Sequence, residues 1–86
     1  MASYRIEIAL TAERQIRKLG KIDRLRVLRA IQALAANPRP AGCRKLAGQD
    51  HVFRIRSGVY RIHYEIADHR LIVILLKVGH RKDVYR

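Results

Sequence analysis

The sequence predicts an α+β fold: an N-terminal strand, a two-helix hairpin, then an antiparallel β-meander, with both helices packed on one face of the sheet. Three observations predict it. One short alternating segment rich in Ile stands alone before two stretches of helical periodicity. The pair Pro38 and Pro40 closes the helical half, because proline cannot continue a helix. After them the period switches to alternation, cut into short runs by Gly48, by Gly58 and by Ala67-Asp68-His69. A lone strand, two helices and a run of strands can bury their apolar faces as two layers.

Each element has its own signal. Tyr4 to Leu10 alternates and reads as the first strand. Thr11 offers an N-cap, with Glu13 in the first turn where the helix dipole favours an acid. Ala12, Ile16 and Leu19 recur at helical spacing, and Gly20 is expected to stop this short helix. A second helix is expected over 22–36, with Ile22, Leu25, Leu28, Ile31, Leu34 and Ala35 as its apolar stripe and Arg24, Arg26, Arg29 and Gln32 over much of the rest. The strands that follow are expected at 44–46, 52–56, 59–66 and 70–78. The last has a continuous apolar centre, as a strand buried inside a sheet requires, and Gly79 is expected to end it. The tail from His80 to Arg86 is short and basic.

Length and charge bound the function. Eighty-six residues, 49% of them hydrophobic, make one domain spanning 1–86 with a modest core. The formal net charge is +12, from 19 Lys and Arg against 7 Asp and Glu. Such a field repels itself, and a polyanion whose phosphates release counterions relieves it. Arg outnumbers Lys, and the planar guanidinium fork suits phosphate. The single cysteine, Cys43, allows no intrachain disulfide and fits the cytoplasm. The N-terminus carries no apolar signal segment, and the run Leu71 to Leu76 is too short to span a bilayer, so no membrane is expected.

The Ser57-Gly58 turn makes a geometric prediction. Side chains alternate between faces along a strand. Phe53, Ile55, Tyr60, Ile62, Tyr64 and Ile66 then share the core face, and Val52, Arg54, Arg56, Val59, Arg61, His63 and Glu65 share the other. A two-residue loop at Ser57-Gly58 would pair Arg56 with Val59 and Arg54 with Arg61. Opposed like charges cost roughly 0.2–1 kcal/mol, so folding alone does not call for this arrangement, and a bound phosphate would relieve it. Arg81 follows Gly79 closely enough to join the patch, and Tyr85 is an aromatic suited to stacking on an unpaired base. His63 and His80 are candidate proton carriers, although a lone histidine more often serves structure.

Other chemistries have little support. No Cys/His spacing suggests zinc, no Gly-rich loop suggests a nucleotide cradle, and the scattered acids do not suggest a two-metal nuclease. No cofactor is expected. Phosphodiester cleavage without metal is open to RNA, whose 2′-hydroxyl can attack the adjacent phosphate.

Four segments carry a resemblance. Leu46-Ala47-Gly48, Phe53-Arg54-Ile55-Arg56, Tyr60-Arg61-Ile62-His63-Tyr64 and the closing Val78-Gly79-His80-Arg81-Lys82-Asp83-Val84-Tyr85 resemble the RelE/ParE superfamily of bacterial toxins, over nearly the whole chain. The resemblance to the RelE branch implies a ribosome-dependent endoribonuclease that cleaves the A-site codon of messenger RNA by metal-free 2′-hydroxyl attack. It also implies an acidic RelB-like antitoxin, with a complex that binds operator DNA through the antitoxin. The resemblance matches Arg54, Arg56, Arg61, Arg81 and Tyr85 to the family's functional residues; Arg56, Arg61, Arg81 and Tyr85 are the candidate catalytic residues, and Arg54, Arg56, His63, His80 and Lys82 of the basic patch and tail are the candidate RNA contacts. Arg61 and Arg81 would stabilise phosphate charge, and Tyr85 would orient a base. The strand basics at Arg54 and Arg56 are usually lysines in the best-known members. Arginine does not release its proton near neutral pH, so Arg56 makes a poor general base. Tyr85, His80 and His63 remain as candidates, beside catalysis by positioning and charge alone. A ParE-like DNA gyrase poison without nuclease residues and a plain nucleic-acid-binding module are the alternative functions.

Overall fold

The computed structural model describes residues 3–84. Strand β1 (Arg5–Ile8) leads into helices α1 (Leu10–Arg17) and α2 (Lys21–Ala36). Strands β2 (Arg44–Lys45), β3 (Val52–Ser57), β4 (Tyr60–Ala67) and β5 (Ile72–His80) follow, and a short helix α3 (Arg81–Val84) comes after them. A 3₁₀ turn at Asp68–Arg70 joins β4 to β5. The sheet order is β1-β5-β4-β3-β2. Strands β2 to β5 form the expected antiparallel meander, and β1 adds to β5 in parallel at the far edge. The predicted α+β architecture is the one observed.

The core lies between the helices and one sheet face. Ala12 and Ile16 of α1, Val27, Ile31 and Leu34 of α2, and Ile55, Ile62, Tyr64, Ile66, Val73, Leu75 and Val78 of the sheet form one cluster. Full burial of one such aliphatic side chain stabilises by about 1.5–3 kcal/mol. The Tyr64 hydroxyl, buried with its ring, donates to the Pro38 carbonyl at 2.7 Å and ties the segment after α2 to the core.

Several boundaries differ from the expectation, each for a physical reason. Helix α1 starts at Leu10 with Ala9 as its N-cap, so Thr11 lies inside the first turn. The Ala9 N–H still donates to Leu75 across the sheet, at 2.8 Å, and its carbonyl already accepts from Glu13, so the chain turns there. Gly20 does not end α1 in a left-handed conformation; it is the N-cap of α2, with φ −62°. The stripe on α2 also departs. Ile22 and Leu25 are 68% and 48% exposed, while Val27 is fully buried. At about 100° per residue, a spacing of three drifts steadily around the helix. Ile22, nine residues before Ile31, faces away from it, whereas Val27, four residues before, stays on the core side.

Strand β5 begins at Ile72, after Leu71 in the left-handed region (φ 54°), and runs through Gly79 to His80. Gly79 therefore lies within the strand, opposite Arg61. The turn between β3 and β4 is Gly58-Val59, closed by the pair Ser57 and Tyr60. Gly58, at φ 62°, takes the first central position, where a two-residue hairpin of the II′ kind favours glycine. Arg56 consequently faces Arg61 and Arg54 faces His63, in place of the expected Arg54–Arg61 pair. The register moves by two residues, and because strand side chains alternate with period two, every residue keeps its predicted face.

Candidate functional site

The face of the sheet away from the helices carries a grid of cations. Direct strand partners point their side chains to the same side. One row crosses four strands as Arg44, Arg54, His63 and Lys77. The next row, nearer the hairpin tip, runs Arg56, Arg61 and Gly79. Neither row holds an acid. The third row, on the other side, is Val52, Glu65, Ile74 and Glu7, so the acids of these three rows lie away from the tip. Glu7 is taken by Arg5 at 2.8 Å.

Arg61 is the anchor of this grid. It is only 5% exposed, though it lies on the face opposite the helices. A cation held this far from water interacts more strongly with an anion than one in bulk solvent. It lines a pocket of about 110 Å³ at the hairpin tip together with Arg56, Gly58, Val59, Tyr60 and Arg81. It also lines a larger pocket of about 390 Å³ with Arg44, Lys45, Leu46, Ala47, Arg54 and His63. The Arg81 N–H donates to the Val59 carbonyl at 2.8 Å, which pins the start of α3 to the hairpin. The exposed Arg81 side chain thereby joins Arg56 and Arg61 around one cavity, as the sequence anticipated.

The two histidines separate. His63 is half-buried on the cationic face, and burial, with Lys77 and then Arg61 adding to it, holds its imidazole below the ordinary range. His80 pairs with Tyr60 and so turns toward the helix side of the sheet. Its ring meets Tyr60 edge-on, with centroids 6.0 Å apart, and Tyr60 in turn donates to Asp23 at 3.4 Å. His80 Nδ1 accepts from the Lys82 N–H at 3.2 Å, and the Lys82 side chain is exposed. Tyr85 lies outside the described residues.

The structure adds residues that the sequence reading passed over. Arg44 stands opposite Arg54 and lines two pockets with it, and Lys77 stands opposite His63. The two-residue strand β2 has too little pattern to reveal its register, and a bulge between His63 and Tyr64 hides that of β5. Among the described residues, no group of three His, Cys, Asp or Glu side chains could hold a metal ion, and no helix is long and apolar enough to cross a membrane.

Comparison with known proteins identifies the family and the fold. Residues 6–85 match the family model described as the ParE toxin of the type II toxin–antitoxin system parDE. The chain is 35% identical over 91 residues to toxin RelG of Mycobacterium tuberculosis, covering 96% of this chain and 97% of that one. Its fold is similar to that in the toxin–antitoxin complex RelBE2 of the same organism, with TM-score 0.83, 29% identity and coverage of 96% and 97%. The archaeal RelE–RelB complex from Pyrococcus horikoshii is similar too, with TM-score 0.83, 26% identity and coverage of 94% and 98%. The intact RelBE toxin–antitoxin complex of E. coli matches with TM-score 0.78 and 28% identity, covering 91% of this chain and 96% of that one. By family match, by full-length similarity and by fold, the chain belongs to the RelE/ParE family and is a RelE-like toxin of the type II toxin–antitoxin class.

Proposed function

We propose that this toxin is a ribosome-dependent endoribonuclease that cuts messenger RNA in the A-site codon, in the cytoplasm, by attack of the RNA's own 2′-hydroxyl. The observation that carries this reading is the pair Arg56 and Arg61, opposed on the face away from the helices and sharing a pocket with Arg81. Opposed arginines disfavour folding, and a phosphate seated among them reverses the sign of that interaction. The nucleophile comes from the substrate, so the protein has to hold the backbone in line and neutralise charge as it develops on the phosphate. Arg61 and Arg56 serve the phosphate oxygens and Arg81 the leaving oxygen. Arg54, His63 and Lys82 hold the flanking RNA, with His80 beside Lys82 through the 3.2 Å bond from the Lys82 N–H to its Nδ1. Tyr85 stacks on a base.

A RelB-like antitoxin of acidic character neutralises the toxin, and the complex binds operator DNA through the antitoxin. The RelB partners in the complexes from P. horikoshii and E. coli support an antitoxin as the partner. The matched family model carries the ParE name, which keeps one other target in view, DNA gyrase. The test is a cleavage map on translating ribosomes with a defined messenger, read by primer extension. Cuts within the A-site codon that vanish in Arg81→Ala are expected. An intact messenger together with loss of gyrase supercoiling would favour the ParE-like reading.

A further inference from the structure

We propose that His63 is the general base of the cleavage, taking the proton from the attacking 2′-hydroxyl. The inference rests on the nuclease reading above. It supplies the group that arginines cannot, since guanidinium keeps its proton near neutral pH.

Position is the first argument. On the cationic face, three levels follow one another along β4. Arg81 is pinned to Val59 at the hairpin tip, Arg56 and Arg61 come next, and Arg54 and His63 lie beyond them. Each step of two residues along a strand covers about 7 Å. An in-line displacement needs the attacking and leaving oxygens on opposite sides of phosphorus. A phosphate held at Arg61, with its leaving oxygen toward Arg81, presents its attacking side toward His63. Gly79, opposite Arg61, brings no side chain into that path.

Local structure is the second argument. The bulge on the β5 side falls at His63 and Tyr64: His63 pairs with Lys77 and Tyr64 with Leu75, leaving Leu76 as the extra residue. Bulges kink a strand and re-aim the side chains beside them. His63 lines the same pocket as Arg61, and His80, the other histidine of the candidate set, faces the helices.

The electrostatic setting agrees. His63 faces Arg54 from β3, Lys77 from β5, and Arg61 and Glu65 from its own strand, with Arg44 of β2 at the end of its row. Burial first, then Lys77 and Arg61, lowers its affinity for a proton below the ordinary histidine value of 6.5. The ring is then neutral at pH 7 and ready to accept. In the step itself, the 2′-oxygen gives its proton to the imidazole and bonds to phosphorus. The bond from phosphorus to the 5′-oxygen breaks, and that oxygen leaves with the electron pair beside Arg81 and takes a proton from water. The products are a 2′,3′-cyclic phosphate and a 5′-hydroxyl, and the imidazolium returns its proton to solvent.

The experiment measures single-turnover cleavage on programmed ribosomes between pH 5 and 8. It compares the unaltered protein, His63→Ala, His63→Gln and Arg81→Ala, each checked for an unchanged thermal transition. Loss of general-base assistance is worth about 10²–10⁴ in rate, expected for both His63 variants. The unaltered protein should lose activity as pH falls through the lowered His63 value, the residual activity of His63→Ala should lack that limb, and added imidazole should restore part of it. Cutting by His63→Ala within a few-fold of the unaltered protein, or a slow His63→Ala that keeps the acid limb and ignores imidazole, overturns the inference and leaves the nuclease reading standing. No cutting by the unaltered protein overturns the nuclease reading, and this inference with it.

Discussion

Arg39, bound to Asp68 just past the end of β4, and Arg61, near the start of the same strand, are treated in different ways. Arg39, in the segment between α2 and β2, grips both oxygens of Asp68, at 2.7 and 3.1 Å. Asp68 also accepts from the Tyr4 hydroxyl at 2.7 Å, and the Arg39 guanidinium lies 5.3 Å from the centre of the Phe53 ring. These bonds join the N-terminal strand, the segment after α2 and the β4–β5 turn. Arg61, by contrast, lies in a row with another arginine and a glycine, nearly out of water. Arg39 is held by a carboxylate of the fold in a two-pronged pair. Arg61 stands opposite Arg56 in a pocket shared with Arg81, a convergence of cations that suits a phosphate. On the proposed function, the comparison separates a structural charge from a functional one better than any count of basic residues.

The largest expected effect falls on the functional side. Arg81→Ala removes an exposed side chain from the tip pocket, so ribosomal cleavage should fall by about 10²–10³ while the urea midpoint stays put. A comparable loss of stability would break the contrast, because it would make Arg81 structural. Next is Tyr64→Phe, which leaves the Pro38 carbonyl buried without its 2.7 Å donor. The cost should be about 1–3 kcal/mol in urea unfolding, with the cationic face left intact.

Gly58→Ala comes third. Its positive φ of 62° disfavours a side chain, so about 1–2 kcal/mol of stability should be lost, together with cleavage if the tip that aligns Arg56 with Arg61 is disturbed.

The smallest effect belongs to Asp68→Asn. The pair with Arg39 is half-exposed, and such pairs contribute about 1 kcal/mol or less. Its signature is pH dependence. Arg39 first, then Tyr4, holds the Asp68 carboxyl well below its ordinary value of 3.8. A depressed carboxylate stabilises the fold above its unfolded value and loses that contribution as pH falls through the folded one. Unfolding midpoints of the unaltered protein and Asp68→Asn should therefore differ at pH 6, and the difference should shrink steadily as pH falls below about 4.

Much of this was legible beforehand. The order of elements, the split of β3 and β4 into a core face and a cationic face, and Arg56, Arg61 and Arg81 as neighbours all follow from local signals: period, proline, glycine and charge. The face assignment survived a two-residue error in register because alternation repeats every two residues. What the sequence could not supply is whatever depends on partners distant in the chain. The burial of Arg61, the rows that bring Arg44 and Lys77 beside His63, and the rotation of His80 toward the helices are set by strand pairing across the sheet. The drift of the α2 stripe, which leaves Ile22 outside and draws Val27 in, is set by where that helix meets the sheet. Local chemistry determined which residue types this protein would present and on which strand face. Only the tertiary structure decided which of them meet, because a strand's own alternation carries no information about the register of its neighbours.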